Sequence, residues 1–558
     1  MTGNGARMLA RTMLRSAGTS SSTRPVAAPS TSLRGLNATQ ASRTASSSSE
    51  ASAAGATPTP IPSPADATVS TNPTDHRSIG KTQSLFLTHD SSPGTPFILP
   101  HGMRLARKVE RVVRDLYDVY GYDEVQSPQL YKTSLWKRSG HWDNYRDDMF
   151  ATEGYKERLA RTQSTSTPIP LETEPSSIDQ GRTACCSIHP DPGAVAEEER
   201  FGLKPMNCPG HCLIFASQER SYRDLPIRYA EFSPLHRNEA SGALTGLTRV
   251  RRFHQDDAHV FCRPDQVATE INSMLAMLTS AYDTFGFSSF ELVLSTRPHD
   301  SYIGTLEEWD KAESGLRSAL NSSGRPWQLN EGDGAFYGPK IDIRLVDGQG
   351  RRHQTATIQL DFQLPRRFEL SYADPNAATT NERSTPVMIH RAILGSVERF
   401  MAILIEQTCG WWPFWLSPRQ AIILSARTDS PALNEYVAKV AKYLSLGIEP
   451  SAEPAKSTER HLQRFFVDIE SNPQGEKLGK LVRKAQLARY NYILVVGERE
   501  METQTVNVRK RDDRSAPARL RELSEKDMLR WGEEGKEGRY EVRGLRKLFC
   551  RLDSHHTW

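Results

Sequence analysis

The segment from His236 to Phe261 constrains the fold of this chain more than any other, because its side chains alternate in character. Alternate side chains of a β-strand point to the same face of a sheet. The pattern therefore predicts a strand with one functional face that carries Arg249, Arg251, Phe253, Gln255, Asp257 and His259. Such a face can stack a flat base on Phe253 and pair arginine with phosphate. The segment Leu225–Phe232 is predicted to be the partner strand.

The alternative for this segment is an amphipathic hairpin whose charged face is merely solvated. A Gln-Asp-Asp-Ala-His sequence at residues 255–259 is unusual for solubility alone, so we favour a functional face. The chain has neither a Walker A loop nor a Rossmann glycine fingerprint. A nucleotide would therefore have to bind on an antiparallel sheet.

Three potential metal ligands stand far apart in the chain, namely Cys208, His259 and His390. Their spacing identifies no site by itself, because a lone Cys or His is more often packed or solvated than bound to a metal. An alternative local set consists of Cys208, His211 and Cys212 around a Pro-Gly turn. Spacing leaves both sets open.

Residues 391–400 resemble a strand that leads into a helix at Gly395, which puts Arg399 one turn into that helix. The start of a helix favours an anion, and a nearby arginine strengthens the effect. The alternative is an ordinary amphipathic helix with an exposed Arg399. Spacing alone does not separate the two interpretations.

The length and charge of the chain indicate a soluble protein of two or three domains. Its 558 residues exceed the usual single-domain size. No stretch approaches the roughly 20 apolar residues of a membrane span, which excludes a transmembrane protein. From residue 417 to the end, 27 Lys and Arg stand against 21 Asp and Glu. This basic surplus suits a polyanion such as RNA, although a mildly basic solvated surface is the alternative.

Two segments have compositions that do not favour a packed core. Residues 1–74 are rich in Ser, Thr, Ala and Pro, and residues 1–49 contain six Arg and no acid. They are predicted to be a disordered mitochondrial transit peptide and leader, with an ordinary disordered tail as the alternative. Residues 151–200 are predicted to be a low-complexity surface insertion, in which we attribute Cys185, Cys186 and His189 to chance. Seven irregularly spaced cysteines fit a reducing compartment.

Periodicity predicts the remaining elements. A helix is expected over Arg104–Tyr117, ended by Gly121 and followed by an extended segment at Glu124–Leu130. After residue 416, strands and helices alternate, which predicts a separate α/β domain over residues 417–558. Its clearest elements are strands at Ala421–Leu424 and Tyr492–Val496 and a helix at Leu433–Leu444.

Several strings resemble the motifs of class II aminoacyl-tRNA synthetases. Residues 232–239, which include Arg237, resemble motif 2; residues 395–399 resemble motif 3; and the first helix with residues 124–128 resembles motif 1. More specific strings resemble the threonyl-tRNA synthetase family, and they lie at residues 204–211, 255–259, 334–340 and 390–396. The resemblance spans about residues 75–508 without the insertion. It implies an α+β fold, with a class II antiparallel sheet flanked by helices over residues 75–416 and a C-terminal α/β anticodon-binding domain over residues 417–558.

This resemblance also implies the roles of individual residues in binding the amino acid. Zn²⁺ would be held by Cys208, His259 and His390, with an open position for the amino group and hydroxyl of threonine. Asp257 would accept a hydrogen bond from that hydroxyl. The remaining pocket residues implied by the resemblance are Met206, Gln255, Tyr337 and Ser396.

For ATP, which would bind with Mg²⁺, the resemblance implies that Arg237 clamps the α-phosphate and Arg399 the γ-phosphate. Adenine would lie between Phe253 and Arg399. The other ATP-binding residues implied are Glu239, Arg249, Gln354 and Thr357.

For transfer to tRNA, the resemblance places His141 and Gln359 near the terminal ribose and Lys340 near the adenylate. An imidazole with a pKa near neutrality can pass a proton at little cost. These three residues, together with Arg237 and Arg399, are the predicted catalytic residues.

The function implied is ATP-dependent activation of L-threonine and its transfer to the 3′ end of tRNA(Thr), for translation in the mitochondrial matrix. Motif 1 implies a homodimer. One alternative is a non-catalytic paralogue, which would be expected to lack Arg237, Arg399 or a zinc ligand; all are present. A seryl or prolyl synthetase is a weaker alternative, because of residues 255–259. Since the resemblance starts near Asp75, we expect neither the amino-terminal regulatory nor the editing domain of many relatives, and no correction of serine in cis.

Overall fold

The computed structural model describes residues 74–556, apart from 153, 155–199, 288, 301, 347–349, 375–382, 428, 448–463, 471, 473–474, 519–520 and 523–536. Nearly all of the predicted leader and insertion, including Cys185, Cys186 and His189, thus lies outside the described residues. Within the described part of the chain, no helix is long and apolar enough to cross a membrane.

The described strands and helices are as follows. The strands are β1 (Phe86–Leu87), β2 (Phe97–Ile98), β3 (Asp123–Glu124), β4 (Leu130–Lys132), β5 (Ala151–Thr152), β6 (Phe201–Leu203), β7 (Ile227–His236), β8 (Arg252–Cys262), β9 (Glu291–Ser295), β10 (Trp327–Asn330), β11 (Lys340–Val346), β12 (Arg352–Asp361), β13 (Tyr372–Ala373), β14 (Arg383–Ser384), β15 (Val387–Ala392), β16 (Ala421–Ser425), β17 (Val467–Glu470), β18 (Tyr492–Val496), β19 (Thr505–Lys510) and β20 (Gly538–Glu541). The helices are α1 (His76–Thr82), α2 (Pro100–Tyr120), α3 (Thr133–Ser139), α4 (His141–Tyr145), α5 (Cys208–Ala216), α6 (Val267–Thr284), α7 (Leu306–Ser322), α8 (Gln363–Arg367), α9 (Val397–Thr408), α10 (Pro431–Leu446), α11 (Leu478–Leu487), α12 (Glu498–Glu502) and α13 (Val542–Ser554).

An eight-stranded sheet forms the centre of the described part of the chain before residue 417, with strand order β10-β9-β11-β12-β15-β8-β7-β3. Its six middle strands pair antiparallel, and the edge strands β10 and β3 pair parallel. Strand β8 shows why the sheet has two different faces. Its Ala258 and Val260 are buried in the main hydrophobic core beside helices α2, α6, α7 and α9. The alternate residues of β8 point the other way, as the sequence predicts.

Helix α2 forms where the sequence predicts a helix, and it starts four residues earlier. Pro100 occupies its first turn, where the missing backbone N–H costs nothing. Gly121 ends the helix in a left-handed conformation at φ 71°. The buried face carries Leu105, Val109 and Val112. The extended segment predicted at Glu124–Leu130 is divided between β3 and β4, so that prediction is correct only at its two ends.

The second sheet lies in the C-terminal part and has strand order β17-β16-β18-β19-β20. Strands β17, β16 and β18 are parallel, and β18, β19 and β20 are antiparallel. Helix α11 packs Leu481 and Ala485 with Ile422 and Leu424 on one face. Helices α10 and α13 cover the other face in a separate cluster. The predicted α/β arrangement of this region is confirmed.

The connection from β15 to α9 is a tight turn, as the sequence predicts for residues 391–400. The hydroxyl of Ser396 caps α9 by accepting a hydrogen bond from the N–H of Arg399 at 3.1 Å. Gly395 precedes this cap at φ 71°, and a Cβ placed there would lie 2.3 Å from the carbonyl oxygen of Thr355. Only glycine fits this position without displacing β12.

Replacing Gly395 by Ala should therefore destabilise the protein by about 1–3 kcal/mol, because a left-handed backbone and a backbone clash combine at one residue. Gly242→Ala is the matched control, since nothing lies within 4 Å of a Cβ at Gly242. Urea unfolding of both variants measures the difference. Equal free energies of unfolding for the two variants would contradict the conclusion that only glycine fits at position 395.

Candidate functional site

A cavity of about 350 Å³ opens on the face of the eight-stranded sheet opposite the core helices. Strands β8, β12 and β15 form its floor, and residues from α5 and from the start of α9 complete its walls. Of the residues predicted to form the site, all but His141, Arg251 and Lys340 line this cavity: Met206, Cys208, Arg237, Glu239, Arg249, Phe253, Gln255, Asp257, His259, Tyr337, Gln354, Thr357, Gln359, His390, Ser396 and Arg399. The structure therefore brings the predicted set together, and the role of each residue stays a prediction.

Cys208, His259 and His390 meet at one end of the cavity. The register of the sheet places His390 directly opposite His259. Cys208 is the first residue of α5, a helix that packs against β8 and β15 through Phe261 and Met388. One potential ligand atom of each residue lies within 4.8 Å of those of the other two, and all three residues are buried. Nε2 of His259 and Nδ1 of His390 are 3.0 Å apart.

The outer nitrogens of both imidazoles have polar partners. Nε2 of His390 lies 2.8 Å from Oδ2 of Asp361, a buried carboxylate that can only accept. As a zinc ligand, His390 would donate through this nitrogen to Asp361 and turn the lone pair of Nδ1 towards His259. Nδ1 of His259 lies 2.8 Å from Nδ1 of His211. Burial lowers the pKa of His259 well below its usual value, which favours the neutral imidazole that a metal requires.

This donor set fits a zinc ion. Two nitrogens bound to Zn²⁺ in a tetrahedral site stand roughly 3.3 Å apart, close to the 3.0 Å between His259 and His390. A thiol and two imidazoles are ligands that zinc prefers, and three protein ligands leave a position open. The alternative local set is not brought together, because Sγ of Cys212 instead contacts Sδ of Met388 at 3.9 Å. In the described part of the chain, Cys212 belongs to no group of potential ligands.

A second group of ligand-type residues lies away from the cavity and consists of Asp75, His76 and Glu406. Their polar atoms are used within the protein. His76 contacts Oε1 of Glu406 through Nδ1 at 2.7 Å and accepts from the N–H of Leu247 through Nε2 at 3.2 Å. Asp75 accepts from the backbone and side chain of Arg77. We interpret this group as a structural network that joins α1 to α9.

The other end of the cavity is rich in arginine. Nε of Arg399 donates to the carbonyl of Thr248 at 2.9 Å, which holds its guanidinium in place. Arg249 pairs with Glu239 at 2.8 Å. Burial and then the nearby charges of Arg237 and Arg249 lower the pKa of Arg399. Positive charges held together in this way form a site for an anion with several negative charges.

Between the two ends lies the functional face of β8. Phe253, Gln255, Asp257 and His259 line the cavity, as the alternation predicts. Nδ2 of Asn207 donates to Oδ2 of Asp257 at 3.1 Å. The guanidinium of Arg237 lies 5.1 Å from the centre of the Phe253 ring. The prediction is wrong for Arg251, because the strand begins one residue later and this side chain turns away.

The guanidinium of Arg251 instead hydrogen-bonds the carbonyl of Glu239 and the hydroxyl of Ser241, at 2.9 and 3.2 Å. Its backbone N–H donates to the carbonyl of Gly94. Arg251 thus supports the loop after β7 and does not line the cavity.

Strand β12 supplies a connected set of polar groups to the cavity. The hydroxyl of Tyr337 donates to Oε1 of Gln359 at 2.5 Å, and Nε2 of Gln359 donates to Thr357 at 3.2 Å. The carbonyl of Gln354 accepts from Nη1 of Arg399 at 3.3 Å. These contacts orient the side chains at the edge of the cavity.

His141 and Lys340 lie outside the cavity lining. His141 is buried behind Cys208, with Nε2 3.7 Å from the thiol and Nδ1 2.7 Å from Ser139. The near-neutral pKa assumed for it is wrong, because burial lowers the pKa of His141 to about 4. Lys340 pairs with Asp342 at 3.0 Å. Their catalytic roles stay predictions.

Arg391 and Asp361 were not predicted as site residues, and His211 was considered only as a direct metal ligand in the alternative set. Arg391 lines the cavity and is buried, and Asp361 and His211 contact the two imidazoles. Arg391 and His211 stand in the strings that carry the family resemblance, beside residues that were predicted. Asp361 ends β12, and no local pattern distinguishes it from a surface acid.

Comparisons with known proteins agree with this geometry. Residues 194–408 match the model of the tRNA synthetase class II core domain (G, H, P, S and T), and residues 420–526 match the anticodon binding domain. A probable mitochondrial threonine–tRNA ligase of Schizosaccharomyces pombe is 44% identical over 445 residues, covering 79% of this chain and 85% of the relative. A probable cytoplasmic threonine–tRNA ligase 1 of Dictyostelium discoideum is 48% identical over 439 residues, covering 79% and 52%. The chain thus spans about half the length of most of the curated relatives it matches.

A solved structure with a similar fold comes from Cryptosporidium parvum Iowa II and is titled the RNA binding domain of threonyl-tRNA synthetase. It has a TM-score of 0.67 and 39% identity, and the match covers 86% of this chain and 98% of that one. Prolyl-tRNA synthetase of Giardia lamblia, at 15% identity and a TM-score of 0.53, shares the fold alone. The predicted α+β fold, with an antiparallel synthetase sheet and a second α/β domain, is confirmed.

The arginine end predicts a measurable affinity for polyphosphate. Replacing Arg399 by Gln should weaken the binding of inorganic triphosphate by roughly tenfold to a hundredfold, because one charge-assisted contact is lost. Isothermal titration calorimetry measures the change. Arg223→Gln is the control, since Arg223 is exposed and does not line the cavity. Equal binding by the two variants would contradict an anion site at Arg399.

Proposed function

The chain belongs to the threonine–tRNA ligase family of class II tRNA synthetases, and we propose that it activates L-threonine with ATP and transfers it to the 3′ end of tRNA(Thr). The observation that carries the proposal is the arrangement of one cavity. A buried trio of Cys208, His259 and His390 stands at one end, and an arginine cluster stands at the other. The two ends suit the two small substrates of the first reaction, a hydroxy amino acid and a nucleoside triphosphate.

The buried end is the proposed zinc site, held by Cys208, His259 and His390. When bound, zinc would supply a Lewis acid that takes the amino group and hydroxyl of threonine in its open position. Asp257 lies beside this end, with Oδ1 3.8 Å from Nε2 of His259, and would accept the proton of the threonine hydroxyl in a hydrogen bond. Asn207 holds the other oxygen of Asp257. Met206, Gln255, Tyr337 and Ser396 would enclose the rest of the amino acid.

The open end is the proposed ATP site. Arg237 would bind the α-phosphate, where the threonine carboxylate attacks, and Arg399 the γ-phosphate, with Mg²⁺ accompanying the nucleotide. Fixed guanidinium groups stabilise the charge that develops as pyrophosphate leaves. Phe253 would support the adenine ring, and Glu239, Arg249, Gln354 and Thr357 would surround the nucleotide. The Arg399 side chain is already held by Thr248, so little of its freedom is lost on binding.

For the second reaction, Gln359 borders the cavity and is oriented by Tyr337, which supports a role near the terminal ribose of the tRNA. His141 and Lys340 remain proposed participants. Four of the five strands of the C-terminal sheet, β16 to β19, lie within residues 420–526, which match an anticodon binding domain, and this supports tRNA as the partner. We also propose a homodimer through α2 and β3, and residence in the mitochondrial matrix, because two relatives have mitochondrial names.

The test is threonine-dependent exchange of pyrophosphate into ATP by the zinc-loaded full chain. We expect exchange with wild type and its loss in Cys208→Ser, together with the loss of about one bound zinc per chain. Cys212→Ser is the matched control, because Cys212 lies on the same helix outside the trio and should keep both properties. A zinc-loaded wild type without exchange would contradict the enzyme and favour a non-catalytic binding protein.

Amino-acid discrimination in the activation step gives a second prediction. Valine lacks the hydroxyl and would leave the polar groups of a hydroxyl site unpaired, so it should be rejected by roughly 10⁴-fold or more. Serine keeps the hydroxyl and lacks one methyl, a difference of about 1–3 kcal/mol, or roughly 10- to 200-fold. The ratio of kcat/KM values in the exchange reaction measures both. Rejection of serine as strong as that of valine would contradict a hydroxyl-reading site.

A further inference from the structure

Behind His259 lies a buried chain of polar groups that the proposed reaction does not use. Nδ1 of His211 is 2.8 Å from Nδ1 of His259, and Nε2 of His211 is 3.1 Å from Oε2 of Glu231. Nζ of Lys204 lies 2.8 Å from Oε1 of Glu231. The side chains of Lys204, His211 and Glu231 are 0%, 0% and 1% exposed. A buried ion pair of this kind costs desolvation energy and calls for an explanation.

The position of these buried polar groups follows from the register of the sheet. Glu231 lies on β7 opposite Asp257, and Tyr229 lies opposite His259. Glu231 therefore stands on the cavity face of the sheet, one pair away from His259. Helix α5 covers it, and the same helix supplies Cys208 at its start and His211 one turn later.

The donors and acceptors around Glu231 determine its state. Lys204 has only donors, and the backbone N–H and hydroxyl of Ser127 donate to the two oxygens of Glu231 at 2.9 and 2.7 Å. Burial raises the pKa of Glu231, but hydrogen bonds from His211, Lys204 and Ser127 outweigh burial and lower it to about 2. Glu231 is thus an ionised acceptor, and Nε2 of His211 donates to it.

The state of His211 then constrains that of His259. A zinc ligand at Nε2 of His259 must carry its proton on Nδ1, and Nδ1 of His211, 2.8 Å away, is placed to accept that proton while its Nε2 donates to Glu231. Nε2 of His259 is left with a free lone pair, and it is this atom that faces His390 and the trio. The arrangement on the other side is simpler, because Asp361 contacts His390 directly. Each imidazole of the trio thus has a carboxylate behind it, one direct and one through a second imidazole.

We propose that His211 and Glu231 are positioning residues for the metal centre, which hold His259 in the tautomer that binds zinc and strengthen its donor nitrogen. This inference rests on the proposed zinc site. A carboxylate behind a histidine ligand orients the ring and raises its basicity. Glu231 orients His259 through His211, and Lys204 balances the negative charge of Glu231 in the interior.

The test is the zinc affinity of Glu231→Gln in the full chain, measured by competition with a chromophoric chelator. Gln keeps the shape of the side chain and removes its charge. We expect zinc to bind roughly 10- to 100-fold more weakly, the usual effect of losing such a partner. The matched control is Glu270→Gln. Glu270 is also a buried carboxylate in an ion pair, here with the partly exposed Arg228 of β7 at 2.6 Å, and it does not belong to the trio.

Two further variants separate positioning from folding. Glu231→Gln leaves Lys204 without a buried counter-charge, so the double variant Lys204→Met/Glu231→Gln removes that cost and should bind zinc as weakly as the single variant. His211→Asn retains an oxygen that can accept from His259 and loses the contact with Glu231, and it should show an intermediate affinity. The absorption spectrum of the Co²⁺-substituted protein should shift in all three variants and stay unchanged in Glu270→Gln.

Zinc binding by these variants distinguishes a positioning role from a general loss of stability. Weaker zinc binding in the three variants and unchanged binding in the control support the positioning role. Wild-type zinc affinity in folded Lys204→Met/Glu231→Gln overturns it and leaves the zinc site itself intact. Equal weakening in Glu270→Gln also overturns it, because a general loss of stability would then explain the effect. A wild type that takes up no zinc would instead refute the metal part of the proposed function.

Discussion

The register of four antiparallel strands, β12, β15, β8 and β7, is the constraint on which the site depends. His390 pairs with Gln359 on one side and with His259 on the other, and Tyr229 continues the row on β7. Because side chains alternate between faces, a slip of one residue would bury the whole functional row among the core helices. The apolar residues between them, such as Ala258 and Ile389, prevent this slip, since they fill the core on the opposite face. The packing of one face therefore determines the chemistry of the other.

The buried carboxylate of Asp256 connects this sheet to the turn before Ser396. Asp256 accepts the backbone N–H groups of Ile393 and Leu394, both at 2.8 Å, and pairs with Arg391 at 3.1 Å. These contacts hold the chain just before the Ser396 cap of the helix that carries Arg399. The guanidinium of Arg391 also lies 4.5 Å from the centre of the Tyr122 ring, beyond the end of α2. Asp256 thus sets the separation between the end that holds Cys208, His259 and His390 and the arginine end, although it faces away from the cavity.

The sequence predicts those parts of the site that follow a local period. The alternation from Phe253 to His259 identifies a functional face, and it fails at Arg251, where the strand has not yet begun. The meeting of His259 with His390, 131 residues apart, depends on strand order and register, which no spacing encodes. Only the resemblance to a family predicted that Cys208, His259 and His390 come together. Local patterns also do not show which polar side chains are buried. For this reason a near-neutral pKa was expected for His141, and this expectation is wrong.

The two ends of the cavity differ in exposure, and this difference suits their proposed tasks. His259 is 1% exposed and Cys208 4%, whereas the side chain of Arg249 is 54% exposed. A polar group in the site rejects a substrate analogue without a hydroxyl only when water cannot take the place of that hydroxyl. Recognition of the hydroxyl therefore requires the buried end of the cavity. A polyphosphate must enter and leave with its charge solvated, so its arginines belong at the open end, where water and salt moderate their attraction. Glu231, His211 and Lys204 lie behind this buried end. Because water is excluded there, hydrogen bonds alone can fix which nitrogen of an imidazole carries the proton.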